Sequence, residues 1–265
     1  MALDEALSIS VRRCDSPVVL RIYTWEGAAV SLGAFQKTDD IDLDYCVRSN
    51  IPVVRRPTGG RAILHGDELT YSFSAKNEGI FAEGLLESYR RLGAAFGRCF
   101  EMAGLTCSMK DEPERGKKLL RSPLCFASSS LGEISSRGMK VIGSAQKRWQ
   151  DGFLQQGTIP FAIDRLKLHG VFRKFVPASG QHRDYSLSGG LRDLIPALDA
   201  GLFKQHIIAA FEETFSVTLD DSRPSPQELE LAQQLMAAKY RDSLWTRGEK
   251  AGNLSCNSAG ITPKG

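Results

Sequence analysis

The sequence predicts a mixed α/β domain with a small helical extension at its C-terminal end. Short β-branched apolar runs dominate the first third of the chain, and two glycine-containing turns separate extended segments in the middle. Amphipathic segments, with apolar residues three and four positions apart, occur before and after these turns. A length of 265 residues suits one large domain or two small ones, and no internal repeat divides it.

The predicted elements follow from periodicity and turn chemistry. Strands are expected at residues 18–23, 29–33, 51–55, 62–65, 69–74, 134–136, 139–149 and 153–159. Helices are expected at residues 3–9, 82–102, 202–215 and 227–244. We expect the first strand to be buried and the strand at 69–74 to be half-buried, because its apolar residues alternate. Turns at Arg137-Gly138 and Asp151-Gly152 make the last three strands a β-meander. The charged stretch 108–121 reads as an exposed loop, and the last helix has a Ser225 cap followed by Pro226.

Charge and composition exclude several classes of protein. The chain has 34 Lys+Arg and 31 Asp+Glu, and the net charge of +3 is too small to indicate nucleic-acid binding. No apolar run approaches the roughly 18–20 residues of a membrane span, and the acidic start is not a signal peptide. We therefore expect a cytoplasmic protein with no nucleic-acid or membrane partner. Six cysteines without a CxxC pair indicate thiols rather than a disulfide framework, and four scattered histidines give no reason to expect a metal.

The first candidate site is a glycine loop between two predicted strands, with the sequence RRPTGGRAILHG at residues 55–66. Gly59-Gly60 would let the backbone approach a ligand closely, and Arg55, Arg56 and Arg61 would supply positive potential. A phosphate, carboxylate or thioester oxygen could bind there. A lone glycine pair is more often a hairpin turn with solvated arginines, and the spacing of a P-loop is absent.

The second candidate is Lys140, on a predicted strand. Alternation places Lys140, Ile142, Ser144 and Gln146 on one face and Met139, Val141 and Ala145 on the other. A lysine beside a serine, a glutamine and a glycine suits a sheet face that binds a ligand. An edge-strand lysine that blocks aggregation is the ordinary alternative, which spacing alone favours.

The third candidate is Cys125, which stands at a transition from loop to strand just after the charged stretch. A cysteine is nucleophilic as a thiolate, so its pKa must fall from about 8.5, and a nearby ammonium such as that of Lys140 has this effect. The alternative is a small buried apolar residue, the usual role of an unpaired cysteine.

Four stretches resemble the lipoate–protein ligase and octanoyltransferase family, which shares its catalytic fold with biotin–protein ligases. They are MALDEAL at 1–7, SLGAFQ at 31–36, VVRRPTGGRAILHGDELTYSF at 53–73 and GMKVIGSAQKRWQDGFLQQGTIP at 138–160. The resemblance implies a mixed β-sheet flanked by helices, with a catalytic domain at 1–220. Residues 221–250 are expected to form a helical extension, and 251–265 a disordered tail. Family members usually have a further strand before the first stretch, so we expect an edge strand to be missing or the start to lie upstream.

Three features favour an ATP-free octanoyltransferase of the LipM type. Arg61 stands where ligases more usually carry a third glycine, and Cys125-Phe126 lies fifteen residues before Lys140, where such enzymes place their nucleophile. The chain also lacks room for the accessory domain of the larger ligases, although some small ligases lack it too. An ATP-dependent lipoate–protein ligase, an octanoyl amidotransferase acting between lipoyl domains, and a non-catalytic carrier-protein binder remain as alternatives.

The resemblance implies a mechanism in which Cys125 takes an octanoyl group from acyl carrier protein as a thioester. The lysine of a lipoyl domain, in the glycine-cleavage H protein or the E2 subunit of a 2-oxoacid dehydrogenase, then accepts it. Lys140 is the second catalytic residue, and no cofactor or metal is required.

The resemblance also implies a set of substrate-binding residues. They are Arg56, Thr58, Gly59, Gly60, Arg61, His65, Gly143, Ser144, Ala145, Gln146, Gly157 and Thr158. We expect Ile63, Ile142 and Ile159 to line the octanoyl tunnel. Arg115, Lys117, Lys118 and Arg121 either steer the acidic carrier protein or form a solvated loop.

Overall fold

Two β-sheets make up the strand framework in the computed structural model, which describes residues 1–109, 134–172 and 189–249. The strands are β1 (Val19–Tyr23), β2 (Ala29–Leu32), β3 (Val53–Arg55), β4 (Ile63–His65), β5 (Glu68–Lys76), β6 (Ser108–Met109), β7 (Ile134–Ser136), β8 (Met139–Arg148) and β9 (Gly152–Pro160). The larger sheet has the order β1-β5-β9-β8-β7-β6, and its described pairings are antiparallel. The smaller sheet, β3-β2-β4, is mixed, because β2 runs parallel to β3 and antiparallel to β4.

The helices cover both faces of the larger sheet. They are α1 (Ala2–Arg12), α2 (Leu43–Arg48), α3 (Leu85–Met102), α4 (Arg165–Val171), α5 (Ala200–Phe215), α6 (Pro226–Leu235) and α7 (Ser243–Arg247). Side chains of Asp42, Asp164 and Asp199 cap α2, α4 and α5, and Ser225 forms a capping box with Glu228 at the start of α6. Among the described residues, no helix is both long and apolar enough to cross a membrane.

An aromatic core lies between one face of the larger sheet and the helices α3 and α5. Tyr71 and Phe73 of β5 point into it, where the ring centroid of Tyr71 lies 4.4 Å from that of Phe96 on α3. Phe73 meets Phe211 of α5 at 6.1 Å. The sheet's other face is covered by α1, so β5 is buried on both faces rather than half-buried as expected. The strand predicted to be buried, β1, is the partly exposed edge of the sheet.

The meander prediction is confirmed, and its first turn shows why. Arg137 and Gly138 have φ values of 49° and 79°, and positive φ at both central residues is the pattern of a two-residue hairpin turn. The predictions for 82–102 and 202–215 agree with α3 and α5 within three residues. Two short helices, α2 and α4, were not expected, because a helix of six or seven residues shows little periodicity.

The predicted helix at 227–244 is instead broken into three parts. α6 ends at Leu235, a π-helical turn follows over Met236–Tyr240, and Asp242 caps the separate helix α7. The π-turn brings the ammonium of Lys239 inward, where it lies 2.8 Å from both carboxylate oxygens of Glu5 on α1. The Tyr240 hydroxyl donates to the same carboxylate. This buried ion pair fastens the C-terminal helices to α1.

Removing one member of this pair should be far more costly than removing a surface charge. Glu5→Gln leaves the Lys239 ammonium buried without a counter-charge, so we expect the free energy of unfolding to fall by about 3–5 kcal/mol. Urea denaturation measures this. The double variant Glu5→Leu/Lys239→Met should recover most of the loss, and Glu83→Gln, which breaks the exposed pair with Arg91, should change stability by under about 1 kcal/mol. A double variant no more stable than Glu5→Gln would contradict this account.

Candidate active site

Within the stretch 55–66, residues 56–62 form the glycine loop itself, which joins β3 to β4; both strands pair with β2, so the loop is not a hairpin turn. Arg56 holds the loop from within: its guanidinium donates to the carbonyl oxygens of Gly59 and Arg61, both at 2.7 Å, and to the backbone and hydroxyl oxygens of Ser31, both at 3.0 Å. Gly60 has φ of 86°, and a Cβ there would lie 2.9 Å from the Arg56 guanidinium. The loop therefore wraps around a buried cation.

Arg55 has a structural role as well. It is 1% exposed, and it donates to the carbonyl oxygens of Gly33 at 2.6 Å and of Trp245, in α7, at 3.0 Å. Arg55 is therefore engaged within the protein, contrary to the expectation that it presents positive charge to a ligand. Arg56 is 3% exposed and also engages backbone carbonyls, but it lines the crevice of the site, so for Arg56 the expectation stays a prediction. Arg61 differs, because its Nη1 is buried without a hydrogen-bond partner among the described residues.

A chain of hydrogen bonds ties the glycine loop to α1. The Thr58 hydroxyl donates to Oε1 of Gln156 at 2.9 Å, and Nε2 of Gln156 donates to Asp4 at 2.7 Å. Asp4 is fully buried and also accepts from Arg21 at 2.6 Å. Burial alone would raise the pKa of the Asp4 carboxyl, but the Met1 amino group, Arg21 and Gln156 outweigh it and hold that pKa below its usual value. The ionised carboxylate thus fixes which way the Gln156 amide points.

His65 belongs to a second buried network. Its Nδ1 lies 2.7 Å from Oε1 of Glu68, and its Nε2 lies 2.7 Å from Oγ of Ser31. The Thr70 hydroxyl donates to the same Glu68 oxygen at 2.6 Å and accepts from Nε1 of Trp25 at 2.8 Å. The Trp25 and His65 rings stack with centroids 4.1 Å apart. Both nitrogens of His65 are therefore engaged within the protein.

A β-bulge changes the direction of Lys140. Ser135 pairs with Lys140 and Ile134 with Ile142, so β8 has one extra residue at Val141. Residues opposite each other share a face, so Lys140 and Ile142 point to opposite faces. The prediction that Lys140 shares a face with Ile142, Ser144 and Gln146 is wrong. Lys140 instead shares its face with Gly143 and Ala145. The edge-strand interpretation is also wrong, because β8 lies between β7 and β9 and Lys140 is 6% exposed.

On this face lies a narrow crevice, with a larger cavity beside it. The crevice, about 20 Å³, is lined by Met1, Tyr23, Ser31, Arg56, Ile63, His65, Thr70, Gly143, Ser144, Ala145, Gln156, Gly157 and Thr158. The cavity has a volume of about 540 Å³ and shares Ile63 and His65 with the crevice. Its apolar lining comes from Trp25, Ala28, Ala62, Ile63, Leu64, Pro160, Ala162, Ile163 and Leu168. The polar side chains around the crevice mostly bond within the protein, so its accessible surface is largely apolar, and the cavity combines its apolar side chains with the charged ones of Glu26, Asp67, Glu68, Asp164 and Lys167. An aliphatic tail can pack against the apolar part of this cavity.

The sequence pattern of the lipoyl protein ligase A/B catalytic domain matches residues 1–216. The chain belongs to this family. An octanoyltransferase LipM of Carboxydothermus hydrogenoformans is 36% identical over 254 residues, 92% of each chain. Another, of Clostridioides difficile, is 30% identical over 253 residues, 93% of each chain. The resemblance found in the sequence is therefore confirmed.

Solved structures agree with this lipoyl ligase fold. A lipoate-protein ligase A bound with ATP superposes with a TM-score of 0.76 at 22% identity, over 93% of this chain and 92% of that one. The bipartite lipoate protein ligase of Thermoplasma acidophilum gives 0.74 at 21% identity, over 94% and 91% of the two chains. Identities this low establish a shared fold and nothing finer. They confirm the predicted fold class.

Within this family fold, most of the expected binding residues lie together. Those that line the crevice are Arg56, His65, Gly143, Ser144, Ala145, Gly157 and Thr158. Thr58, Gly59, Gly60 and Arg61 lie in the adjoining loop. The side chains of Ser144 and Gln146 point to the opposite face, where Ser144 contacts the Tyr71 hydroxyl at 2.7 Å and Gln146 contacts Ser88 of α3. The expectation of an octanoyl tunnel lined by Ile142 and Ile159 is wrong, because both lie in the aromatic core, whereas Ile63 lines the crevice and cavity.

Cys125 lies outside the described residues, as do Arg115, Lys117, Lys118, Arg121 and the tail at 251–265. Burial raises the pKa of the Cys99 thiol to about 12 and that of Cys107 to about 11, which disfavours the nucleophilic thiolate at neutral pH. Cys14 is exposed, and its sulfur lies 3.2 Å from the ammonium of Lys76, beyond the C-terminal end of α1, whereas Met1 at the other end of α1 lines the crevice. In the described ranges, no group of three or more His, Cys, Asp or Glu side chains is arranged to hold a metal ion.

Sequence reasoning missed the residues that hold the site in place. Glu68 and Trp25 contact His65, and Gln156 contacts Thr58; both His65 and Thr58 were expected to bind substrate. Asp4 acts one step further away, through its contact with Gln156. Asp4 and Gln156 lie within two of the family-like stretches, MALDEAL and FLQQGTIP, and a polar residue inside an apolar run was the available signal. Trp25 had none, because its partners come from β4 and β5.

The close approach of Gly33 to the glycine loop predicts a sharp difference between two glycines. A Cβ on Gly33 would lie 1.9 Å from the carbonyl oxygen of Gly60, whereas a Cβ on Gly59 meets nothing within 4 Å. Gly33→Ala should therefore displace the loop and lower the free energy of unfolding by about 1–3 kcal/mol. Gly59→Ala should leave it within about 0.5 kcal/mol of the wild type. Urea denaturation of both variants checks this, and equal losses would refute the close packing.

The depressed pKa of Asp4 predicts how stability depends on pH. Stability from the ionised carboxylate is fully present above the unfolded pKa of about 3.9 and is lost as pH falls through the lower folded value. Asp4→Asn should cost about 1–3 kcal/mol at pH 7, and the gap to the wild type should close as the pH falls below the unfolded pKa and through the lower folded one. Asp151→Asn, which removes an exposed partner of Arg12, serves as the control and should show a gap near zero throughout.

Proposed function

We propose that the protein is an octanoyltransferase that takes an octanoyl group from acyl carrier protein and delivers it to the lysine of a lipoyl domain. One observation supports this most directly. Most of the expected binding residues line a crevice that shares Ile63 and His65 with a neighbouring cavity of about 540 Å³. Relatives that align with 92% or more of the chain bear the name octanoyltransferase LipM. The proposal needs no ATP, metal or organic cofactor.

The cavity is large enough for the acyl tail, and its apolar side chains provide surface against which the tail can pack. Its volume lies within the range of about 300–1,000 Å³ typical of small-ligand pockets. Burying an aliphatic tail contributes about 0.8 kcal/mol per CH₂, so an octanoyl chain gains several kcal/mol. The crevice is too small for the tail, since about 20 Å³ holds a single water-sized group. The tail therefore occupies the cavity, and the carbonyl end lies at the crevice.

In the proposed reaction, the Cys125 thiolate attacks the carbonyl carbon of the donor thioester. The new C–S bond forms as the carbonyl electron pair moves to oxygen. The pair then returns and expels the carrier's thiolate. The acceptor lysine amine repeats the attack, an amide forms, Cys125 leaves as a thiolate, and the amine loses a proton. Lys140 would keep Cys125 ionised and relay that proton, which its place on the crevice face of β8 favours.

The glycine loop and β8 provide backbone groups for the developing negative charge. Peptide N–H groups near Gly59-Gly60 or at Gly143, Ser144 and Ala145 are the proposed donors, and losing one such donor typically costs about 2.7–4 kcal/mol. Arg56 and Thr58 act by holding the loop in shape.

The proposal extends to the acceptor protein, the cellular compartment and the parts of the chain around the site. The acceptor is the glycine-cleavage H protein or the E2 subunit of a 2-oxoacid dehydrogenase, and the reaction takes place in the cytoplasm. Arg115, Lys117, Lys118 and Arg121 steer the acidic carrier protein towards Cys125. Residues 1–220 carry the chemistry, and the helices of 221–250 brace it through Arg55, Glu5 and Lys239.

Mass spectrometry of the intact protein tests the proposal. The protein is mixed with octanoyl-acyl carrier protein without ATP, and we expect one octanoyl adduct that hydroxylamine removes. Cys125→Ala should form none, whereas Cys14→Ala, which removes an exposed thiol beside Lys76, should acylate as the wild type does. Lys140→Met should slow adduct formation by about a hundredfold or more.

Other outcomes would reject the proposal. Octanoylation of a lipoyl domain that requires ATP and persists in Cys125→Ala would identify a ligase. Octanoyl exchange between lipoyl domains, without use of the carrier protein, would identify an amidotransferase. Binding of the carrier protein without turnover under any of these conditions would identify a non-catalytic binder.

A further inference from the structure

The hydroxyl groups that line the crevice have nearly all found partners inside the protein. Tyr23 donates to Asp4 at 3.1 Å, and Ser31 accepts from Arg56 at 3.0 Å. Thr70 accepts from Trp25 and donates to Glu68. Such saturation is the rule for buried hydroxyls, because an unpaired one loses its hydrogen bonds to water without replacement.

Thr158 is the exception among these crevice residues. It is fully buried, and its Oγ1 has no hydrogen-bond partner in the described part of the chain. Its neighbour across the ladder, Thr70, sits in the same sheet with its hydroxyl engaged on both sides. Valine has nearly the same shape as threonine and would fill this position without the unpaired hydroxyl. We therefore expect a ligand to supply the missing hydrogen-bond partner of this hydroxyl.

The location of Thr158 along β9 identifies the atom it meets. Thr158 lines the crevice, and Pro160, two residues further on, lines the cavity. Two residues of strand span about 6.8 Å, so a ligand whose tail lies in the cavity and whose head group reaches the crevice places that head group near Thr158. An octanoyl thioester carries one oxygen, the carbonyl oxygen, at that end. The crevice volume of about 20 Å³ is enough for one such atom.

We propose that the Thr158 hydroxyl donates a hydrogen bond to the carbonyl oxygen of the acyl thioester. This inference rests on the proposed octanoyl transfer and assigns Thr158 a place in it. The bond orients the carbonyl carbon for attack and strengthens as negative charge develops on the oxygen. It also lets the site distinguish an acyl thioester from an alkyl chain of the same length, because only the thioester can satisfy the buried hydroxyl.

Two ligands that differ only in this oxygen test the inference. S-octanoyl-pantetheine has the carbonyl, and S-octyl-pantetheine, a thioether, lacks it. Calorimetric titration of the full chain carrying Cys125→Ala avoids turnover. We expect the thioester to bind about tenfold more tightly than the thioether, which corresponds to about 1.4 kcal/mol. Adding Thr158→Val should abolish that preference, and adding Thr158→Ser should restore most of it.

Thermal stability distinguishes this role from a structural one. Thr158→Val removes an unpaired buried hydroxyl, so the Tm of the unliganded protein should stay unchanged or rise. The matched variant Thr70→Val leaves Glu68 and Trp25 without their partner, and its Tm should fall by about 2–6 °C. A fall in Tm for Thr158→Val equal to that for Thr70→Val would mark Thr158 as structural and overturn the inference.

The remaining outcomes separate the two proposals. Equal binding of thioester and thioether, together with a Cys125 adduct on the wild type, would overturn the role of Thr158 and leave octanoyl transfer intact; a water bound to Oγ1 would give this result. If neither compound binds and no adduct forms, both proposals fail. A thioester preference that Thr158→Val leaves unchanged would assign the carbonyl to a different donor.

Discussion

The buried carboxylate of Asp4 holds together the elements that form the site. It lies at the start of α1, binds Arg21 of β1, and orients the Gln156 amide of β9. Because that amide presents its nitrogen to the carboxylate, its oxygen faces Thr58 and secures the glycine loop. A charge withdrawn from water is stable only when it is surrounded by donors, so the carboxylate constrains each group that satisfies it. The position of the loop relative to the sheet follows from this one requirement.

The two adjacent arginines show how such a loop keeps its shape without a ligand. Arg55 ends β3 and Arg56 follows it, and each bonds to main-chain carbonyls from several segments. Arg55 connects the end of β3 to α7, and Arg56 closes the glycine loop on itself. A guanidinium suits this role, because its donors form a rigid planar fork and its charge does not titrate in the physiological range.

Much of the fold and of the candidate site could be predicted from the sequence, and the features that could not be predicted have identifiable physical causes. Periodicity located α3, α5 and the meander, and the family-like stretches identified most of the residues around the crevice. The direction of Lys140 was inaccessible, because a single extra residue in β8 reverses alternation and leaves no mark in composition. The burial of Arg55 could not be predicted from the sequence either, because its partners Gly33 and Trp245 are remote in the chain. Local patterns predict elements, whereas charge pairing across the fold decides which side chains a ligand can reach.

The larger sheet presents two unlike faces on one backbone. Tyr71, Phe73 and Ile142 point towards α3 and α5, while Thr70, Gln156 and Thr158 point towards the crevice. Since neighbouring strand residues point in opposite directions, substitutions on the crevice side leave the aromatic packing untouched. Ligand preference and folding are thereby encoded in separate sets of positions. On such a sheet, substitutions on the crevice face can change which acyl group is bound while the fold stays the same.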